Sequence, residues 1–429
     1  MFQSLVNAWK LPDLRKKLLF TMLMLAIFQL GTAIPVPGIA RDALANLLGL
    51  AGTAGSNGTV FDLLNIMSGG ALENASIFAM SITPYVNSSI ILQLLTVAIP
   101  ALERLSKEGE EGRKVIAKWT RYGTVILAFI QATGLYVGLA NTNALDNPGV
   151  ISFLTIVLSF TAGTAFLMWI GEQITEKGIG NGISIIIFAG IVARVPSIVQ
   201  SVWAQLLSGQ INWIIAILIA IVVLAVIAFV VTINDAERRI PVQYAKRVVG
   251  RKVYGGQSTH IPFKVSAAGV IPIIFASSIM AFPSTIAQMV GGTPESGFWR
   301  SFLDFISPTS WFYALLYFIL IILFTFFYTG MIYNPIEMAN NIKGNGGFIP
   351  GIRPGKPTSE FIAKTLNRVT VIGSIAIALI AVLPILASRN NMVAGFSGTS
   401  VLIMVGVAIE TYRQLESQLL MRHYKGFLE

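Results

Sequence analysis

The side chains able to do chemistry inside the apolar parts of this chain are few, and they cluster. ITPYVNSSIILQL at 82–94 carries Thr83, Asn87, Ser88 and Ser89, with Ser81 just ahead of it, and VIPIIFASSIMAF at 270–282 carries Ser277 and Ser278. A serine needs a base beside it to act as a nucleophile. The two histidines, His260 and His423, fall in polar segments, and there is no cysteine and no HExxH. Disulfides, cysteine-based metal sites and a thiol nucleophile are therefore excluded, and no catalytic residue, metal or cofactor is expected. GIGNG at 178–182 and GFIPGIRPG at 347–355 are glycine-rich, but no Gly-Lys-Ser/Thr follows either. They read as tight turns and a loop tip, so any energy input must come from outside the chain.

The elements that carry these residues are membrane spans. Of 429 residues 54% are hydrophobic and only 12% charged, against about 25% charged in soluble domains. Apolar runs of spanning length fall at about 18–37, 75–98, 122–141, 150–171, 182–201, 211–233, 266–290, 311–332, 369–388 and 397–412, each near the ~20 residues a spanning helix needs. The run at 182–201 is interrupted at its far end by Arg194 and Pro196. The first is long for a signal-peptide core and reads as a retained span.

Ten runs place both termini on one side. Alternating the loops puts 26 of the 30 Lys and Arg residues on that side and leaves Arg41, Arg194, Arg300 and Arg389 on the other. The asymmetry assigns the basic side, with both termini, to the cytoplasm. Five spans per half imply inverted halves, as in many transport folds. The expected fold is an all-α membrane protein of ten transmembrane helices, with halves 1–201 and 202–429. An internal echo supports this: the second and seventh runs each carry a mid-run proline (Pro84, Pro272) followed by Ser-Ser-Ile. Interrupted spans at matching positions point to a functional centre, though a packing kink gives the same pattern.

Coupled transporters bury carboxylates, histidines or basic groups in their spans. Here the span centres hold no charge, and Arg194 and Glu410 lie near span ends, where snorkelling accounts for them. A carrier for small solutes and a membrane enzyme are both disfavoured. A path through such a bundle has an aliphatic lining, which gates by dewetting and closes around a chain without selecting side chains. Two long basic loops, 234–265 and 333–368, are candidate docking points, and VQYAKRVVGRKVY reads as a hairpin with Gly250 near the turn. The stretch TVFDLLNIMSGG at 59–70 reads as a short helix opened by a Thr59–Asp62 capping box and ended by the glycines. It is too short to span, and on these grounds alone an interfacial helix is the simplest reading.

The segments SITPYVNSSIILQLL, TRYGT, ITEKGIGNGISIIIFAGI, RRIPVQYAKR, QSTHIPFKVSAAGVIPIIFASSI, NPIEMANNIK and GFIPGIRPG, in this order, resemble the SecY family, channel subunits of the bacterial protein-conducting translocon. The resemblance runs from end to end. It implies two inverted five-span halves opening like a clamshell in the cytoplasmic membrane, and an aliphatic pore ring of Ile82, Val86, Ile183, Ile187, Ile274 and Ile403. It implies a lateral gate between spans two and seven, with Pro84, Asn87, Ser88, Pro272, Ser277 and Ser278. It turns the stretch 59–72 into a plug, with Phe61, Leu64, Ile66 and Met67 facing the ring. It implies partner contacts at Arg239, Arg251, Lys252, Arg353 and Tyr424, toward the motor ATPase SecA or the ribosome, and partner subunits SecE and SecG. Signal peptides, unfolded preproteins and membrane lipid complete the implied partners.

Overall fold

The computed structural model describes residues 8–40, 68–141, 144–209, 212–244, 247–249, 252–254, 258–289, 310–388 and 398–425. A helix lies in every one of the ten apolar runs. These are α1 (Pro12–Gly31), α2 (Thr83–Ala98), α4 (Glu110–Asn141), α5 (Val150–Lys177), α6 (Gly182–Leu207), α7 (Trp213–Asp235), α8 (Ile271–Met289), α9 (Trp311–Ile332), α11 (Lys356–Ser388) and α12 (Gly398–Lys425). Two short helices, α3 (Pro100–Lys107) and α10 (Pro335–Gly344), lie between them. Among the described residues six helices (α4, α5, α6, α7, α9 and α11) are long and apolar enough to cross a membrane, and α2 with α3, bent by 102°, makes a seventh if counted as one span. The chain is a multi-pass, mostly helical membrane protein.

The structure corrects the reading of the prolines. Pro84 and Pro272 do not interrupt spans; each falls in the first turn of its helix. A proline there costs no hydrogen bond, because the first four N–H groups of a helix have no internal acceptor. The residues ahead of both helices, 68–82 and 265–270, are turns. The second apolar run is therefore about one third irregular chain and two thirds helix. Pro196, by contrast, sits inside α6, which runs on to Leu207. Arg194 does not simply snorkel: it pairs with Glu73 at 3.5 Å, tying α6 to the irregular segment.

That segment is packed among α1, α5 and α6. Phe78 stacks on Phe28 and on Phe166 with ring centroids 6.1 and 6.2 Å apart. Gly163 of α5 lies so close that a Cβ there would sit 2.0 Å from the Ile77 carbonyl oxygen. The GIGNG turn does the same for α5 and α6. Asn181 caps α6 by accepting from Ile183 and Ser184 N–H, and a Cβ on Gly182 would fall 1.9 Å from the Gly171 carbonyl.

The two basic loops fold together. β1 (Glu237–Tyr244) pairs along its length with β4 (Ser258–Lys264), and its end, Gln243 and Tyr244, pairs with β5 (Gly347–Phe348) from the other loop. Between β1 and β4, β2 (Arg247–Val249) and β3 (Lys252–Tyr254) form the expected hairpin, with Val249 opposite Lys252. The three-stranded sheet has its own core: Ile240, Val242 and Phe263 bury against Ile342, Ile349, Ile362 and Leu366 of the second loop and α11.

The backbone contact at Gly163 yields a test of this packing. Gly163→Ala is expected to cost about 1–3 kcal/mol through overpacking. Gly138→Ala, where a Cβ meets nothing within 4 Å, is expected to be neutral or to stabilise by about 0.5–1 kcal/mol. Thermal unfolding in detergent compares the two; equal melting temperatures would mean that segment 68–82 is not held against α5.

Candidate functional site: an apolar centre between α2, α6, α8 and α12

The six aliphatic residues singled out in the sequence come together. Ile82, Val86, Ile187, Ile274 and Ile403 are buried, Ile183 is half-buried, and all six belong to one continuous apolar cluster. Their elements explain the convergence. Ile82 is the N-cap of α2, and its carbonyl accepts from Val86 N–H one turn on at 3.1 Å. Ile274 lies in the first turn of α8, Ile183 and Ile187 stand one turn apart on α6, and Ile403 is on α12. Gly171 of α5 opens the space: a Cβ there would touch Ile82, Ile183 and Ile186 at 3.4–3.6 Å. Ala71, fully buried, belongs to the same cluster. Next to it Gly69 packs on the α6 backbone, where a Cβ would lie 3.0 Å from the Gly190 Cα. The end of the stretch 59–72 is thus buried in the apolar core beside α6. Phe61, Leu64, Ile66, Met67 and the Thr59–Asp62 box lie outside the described residues.

The polar residues beside this centre divide. Asn87, Ser88, Ser277 and Ser278 are all buried, and α2 and α8 pack on each other. Ser88, however, donates to the Thr120 carbonyl of α4 at 2.9 Å, so its hydroxyl serves the α2–α4 contact. Ser277 donates to the Ile274 carbonyl within α8. Sequence reasoning missed another pair: the Tyr328 hydroxyl of α9 donates to Gln93 Oε1 of α2 at 2.9 Å. Gln93 shares its apolar run with Asn87, and nothing in the sequence pointed to its partner.

The basic residues fall on the sheet unit and the end of the chain. Arg239 is exposed on β1, its guanidinium held by Glu237 at 2.6 Å. Arg353 is exposed in the turn ahead of α11, its carbonyl accepting from the Thr358 hydroxyl at 2.9 Å. The sheet thus gathers Arg239 and Arg353, from two loops, into one body. Lys252 lies in β3 and Tyr424 in the last turn of α12, whereas Arg251 lies outside the described residues. At the root of the sheet Arg413 of α12 donates to Asp235 Oδ1 at 2.6 Å and to the Asn234 carbonyl at 2.8 Å. Burial, and secondarily the Arg413 charge, pull the neighbouring Lys264 ammonium below the ordinary lysine range, with Glu237, Glu410 and Asp235 opposing.

Six or seven apolar helices of spanning length among the described residues, with a basic sheet body joined to them, define a polytopic helical membrane protein. The chain belongs to the SecY family, whose model matches residues 76–412. It is 46% identical over 441 aligned residues to the protein translocase subunit SecY of Halalkalibacterium halodurans, covering 100% of both chains. Among solved structures it superposes with a TM-score of 0.66 on a SecY protein whose plug domain stabilises the closed state of the translocation channel and maintains a membrane seal; identity is 20% and coverage 94% and 92%. It superposes with a TM-score of 0.61 on Sec61 in the canine ribosome–channel complex from the endoplasmic reticulum, at 17% identity and 96% coverage of each chain.

The Arg413 contacts should hold the end of α7 to α12, just ahead of β1. Both partners are partly exposed, so their link is worth about 1 kcal/mol. Arg413→Met is expected to raise amide exchange in the last turn of α7 about fivefold, a factor equivalent to that energy, with α4 and α5 unchanged. Unchanged exchange there would mean that Arg413 does not fasten α7 to α12.

Proposed function

We propose that this chain is the pore-forming subunit of a protein translocase, passing unfolded secretory proteins across the cytoplasmic membrane and releasing apolar segments sideways into lipid. The observation that carries the reading is the aliphatic centre: six Ile and Val side chains from four helices in one apolar cluster. Such a constriction excludes water while closed and grips no particular side chain when open. The buried Asn87, Ser277 and Ser278 at the α2–α8 contact give the lateral gate, and the end of the stretch 59–72, whose Ala71 belongs to the same apolar cluster, is the base of the plug. The ten runs form ten spans in two inverted halves, 1–201 and 202–429, with both termini cytoplasmic by the distribution of basic residues.

Energy comes from partners. The sheet body, presenting Arg239 and Arg353 on one fold, together with Lys252 and Tyr424, is where SecA and the ribosome dock; the Sec61 neighbour was seen with a ribosome. SecE and SecG complete the complex. The chain itself performs no catalysis.

Reconstitution with SecE and SecA, followed by ATP-dependent uptake of a signal-bearing precursor, tests the reading; vesicles that take up none overturn it. In the same assay Arg353→Glu is expected to reduce uptake at least tenfold while the SecE complex still forms, and normal uptake would move the motor contact elsewhere. Ile274→Asn places an amide in the ring, so it should raise ion leak and admit precursors with defective signals. Unchanged leak and full rejection of those precursors would remove Ile274 from the constriction.

A further inference from the structure

We propose that the Gln93–Tyr328 hydrogen bond is a clasp that holds α2 against the α8–α9 pair, and that its strength sets how readily these helices part. The inference rests on the channel reading above. Gln93 and Tyr328 lie 235 residues apart in sequence, in the first and second halves of the chain, each within an apolar helix. Both are half-buried, so water competes weakly for either group, and a bond made there is lost when the helices separate. The amide is held ready on its own side, since Gln93 Nε2 donates to the Ser89 hydroxyl one turn earlier on α2 at 3.4 Å.

On the other side the phenol is tied to the apolar centre. Phe275 of α8 packs edge-on against the Tyr328 ring, with centroids 5.4 Å apart, and against Phe324 at 5.8 Å. Phe275 follows Ile274 of the aliphatic ring directly. A displacement of α8 that moves Ile274 therefore drags Phe275, and with it the tyrosine, away from Gln93. The clasp consequently reports on and resists the same movement that opens the centre. Its bond is neutral, and a neutral hydrogen bond shifts a two-state balance by roughly two- to tenfold. That is enough to discriminate between segments that wedge the helices apart well and those that do so poorly, and too little to lock them.

Tyr328→Phe removes the hydroxyl and keeps the ring on Phe275; Gln93→Leu removes the acceptor and keeps the bulk. The absence of native cysteine lets Leu95→Cys on α2 and Met331→Cys on α9 carry a single spin-label pair, each within a turn of the clasp. In the full chain in nanodiscs, either clasp substitution is expected to raise a longer-distance population roughly two- to tenfold, and the double variant no more than the larger single effect. In the reconstituted system the same variants should raise uptake of a defective-signal precursor relative to an intact one by a similar factor. An unchanged distance distribution overturns the clasp, as does an additive double variant, whatever the transport result. Wider distances in a chain that transports no precursor would uphold the clasp and overturn the channel reading instead.

Discussion

A buried backbone that is not helical has to find its hydrogen bonds elsewhere, and segment 68–82 sets that constraint for the first half of the molecule. No water reaches the hydrocarbon of a membrane, so each unpaired N–H or C=O there costs several kcal/mol. The segment meets the demand from several sources. Its own turns supply Ser76 N–H to the Ala71 carbonyl and Ser81 N–H to the Phe78 carbonyl. Its serine hydroxyls accept from Leu72 and Phe78 N–H, and the chain after α1 adds two bonds: Val36 donates to the Ala75 carbonyl, and Ile77 donates to the Ile34 carbonyl. The walls follow from this. Gly31 lies against the Phe78 ring and Gly163 against the Ile77 carbonyl because the helices must close over exposed peptide groups. A helix pairs its own backbone and needs no such company; an irregular strap does.

The same accounting explains why the two prolines and the aliphatic centre coincide. A helix can start wherever four N–H groups can be left without internal partners, and proline fixes that point at little cost. Pro84 and Pro272 do so at matching places, and the ring residues Ile82 and Ile274 sit within a turn of them. Ile82 and Ile274 are therefore placed by helix beginnings.

Local patterns were legible in the sequence, and distant pairings were not. The apolar runs each hold a helix, because bilayer length and hydropathy act within about twenty residues. The β2–β3 hairpin was legible because its strands flank Gly250-Arg251. The pairing of Gln243 with Phe348 was not, since neither loop carries a sign of the other. Pro84 and Pro272 were correctly matched but wrongly explained, because a run of apolar residues does not reveal that its first part is turns. The family resemblance places Ser88 at the gate, and nothing in the sequence shows that its hydroxyl donates to the Thr120 carbonyl. The aliphatic ring came from family resemblance; periodicity alone places Ile183 and Ile187 on one face without saying which face.

The contacts that join the early and late parts of the chain differ in chemistry from one seam to another. Where α12 meets α1, the Lys17 ammonium donates to Gln418 at 3.3 Å, and α12 packs along α6, where Gly180 approaches Thr411. Where α2 meets α8 and α9, the partners are aromatic rings, small hydroxyls and one amide–phenol bond. Charged hydrogen bonds are roughly twice as strong as neutral ones, and close glycine contacts penalise sliding. The α2–α8 seam is consequently the softer of the two, since most of its hold comes from apolar contact that an inserted apolar segment can replace. A seam closed by replaceable contacts can open toward lipid without the molecule coming apart, provided the other seam stays shut. The two seams of the bundle thus differ in what holds them: a charged hydrogen bond and close glycine contact at one, apolar packing and a neutral bond at the other.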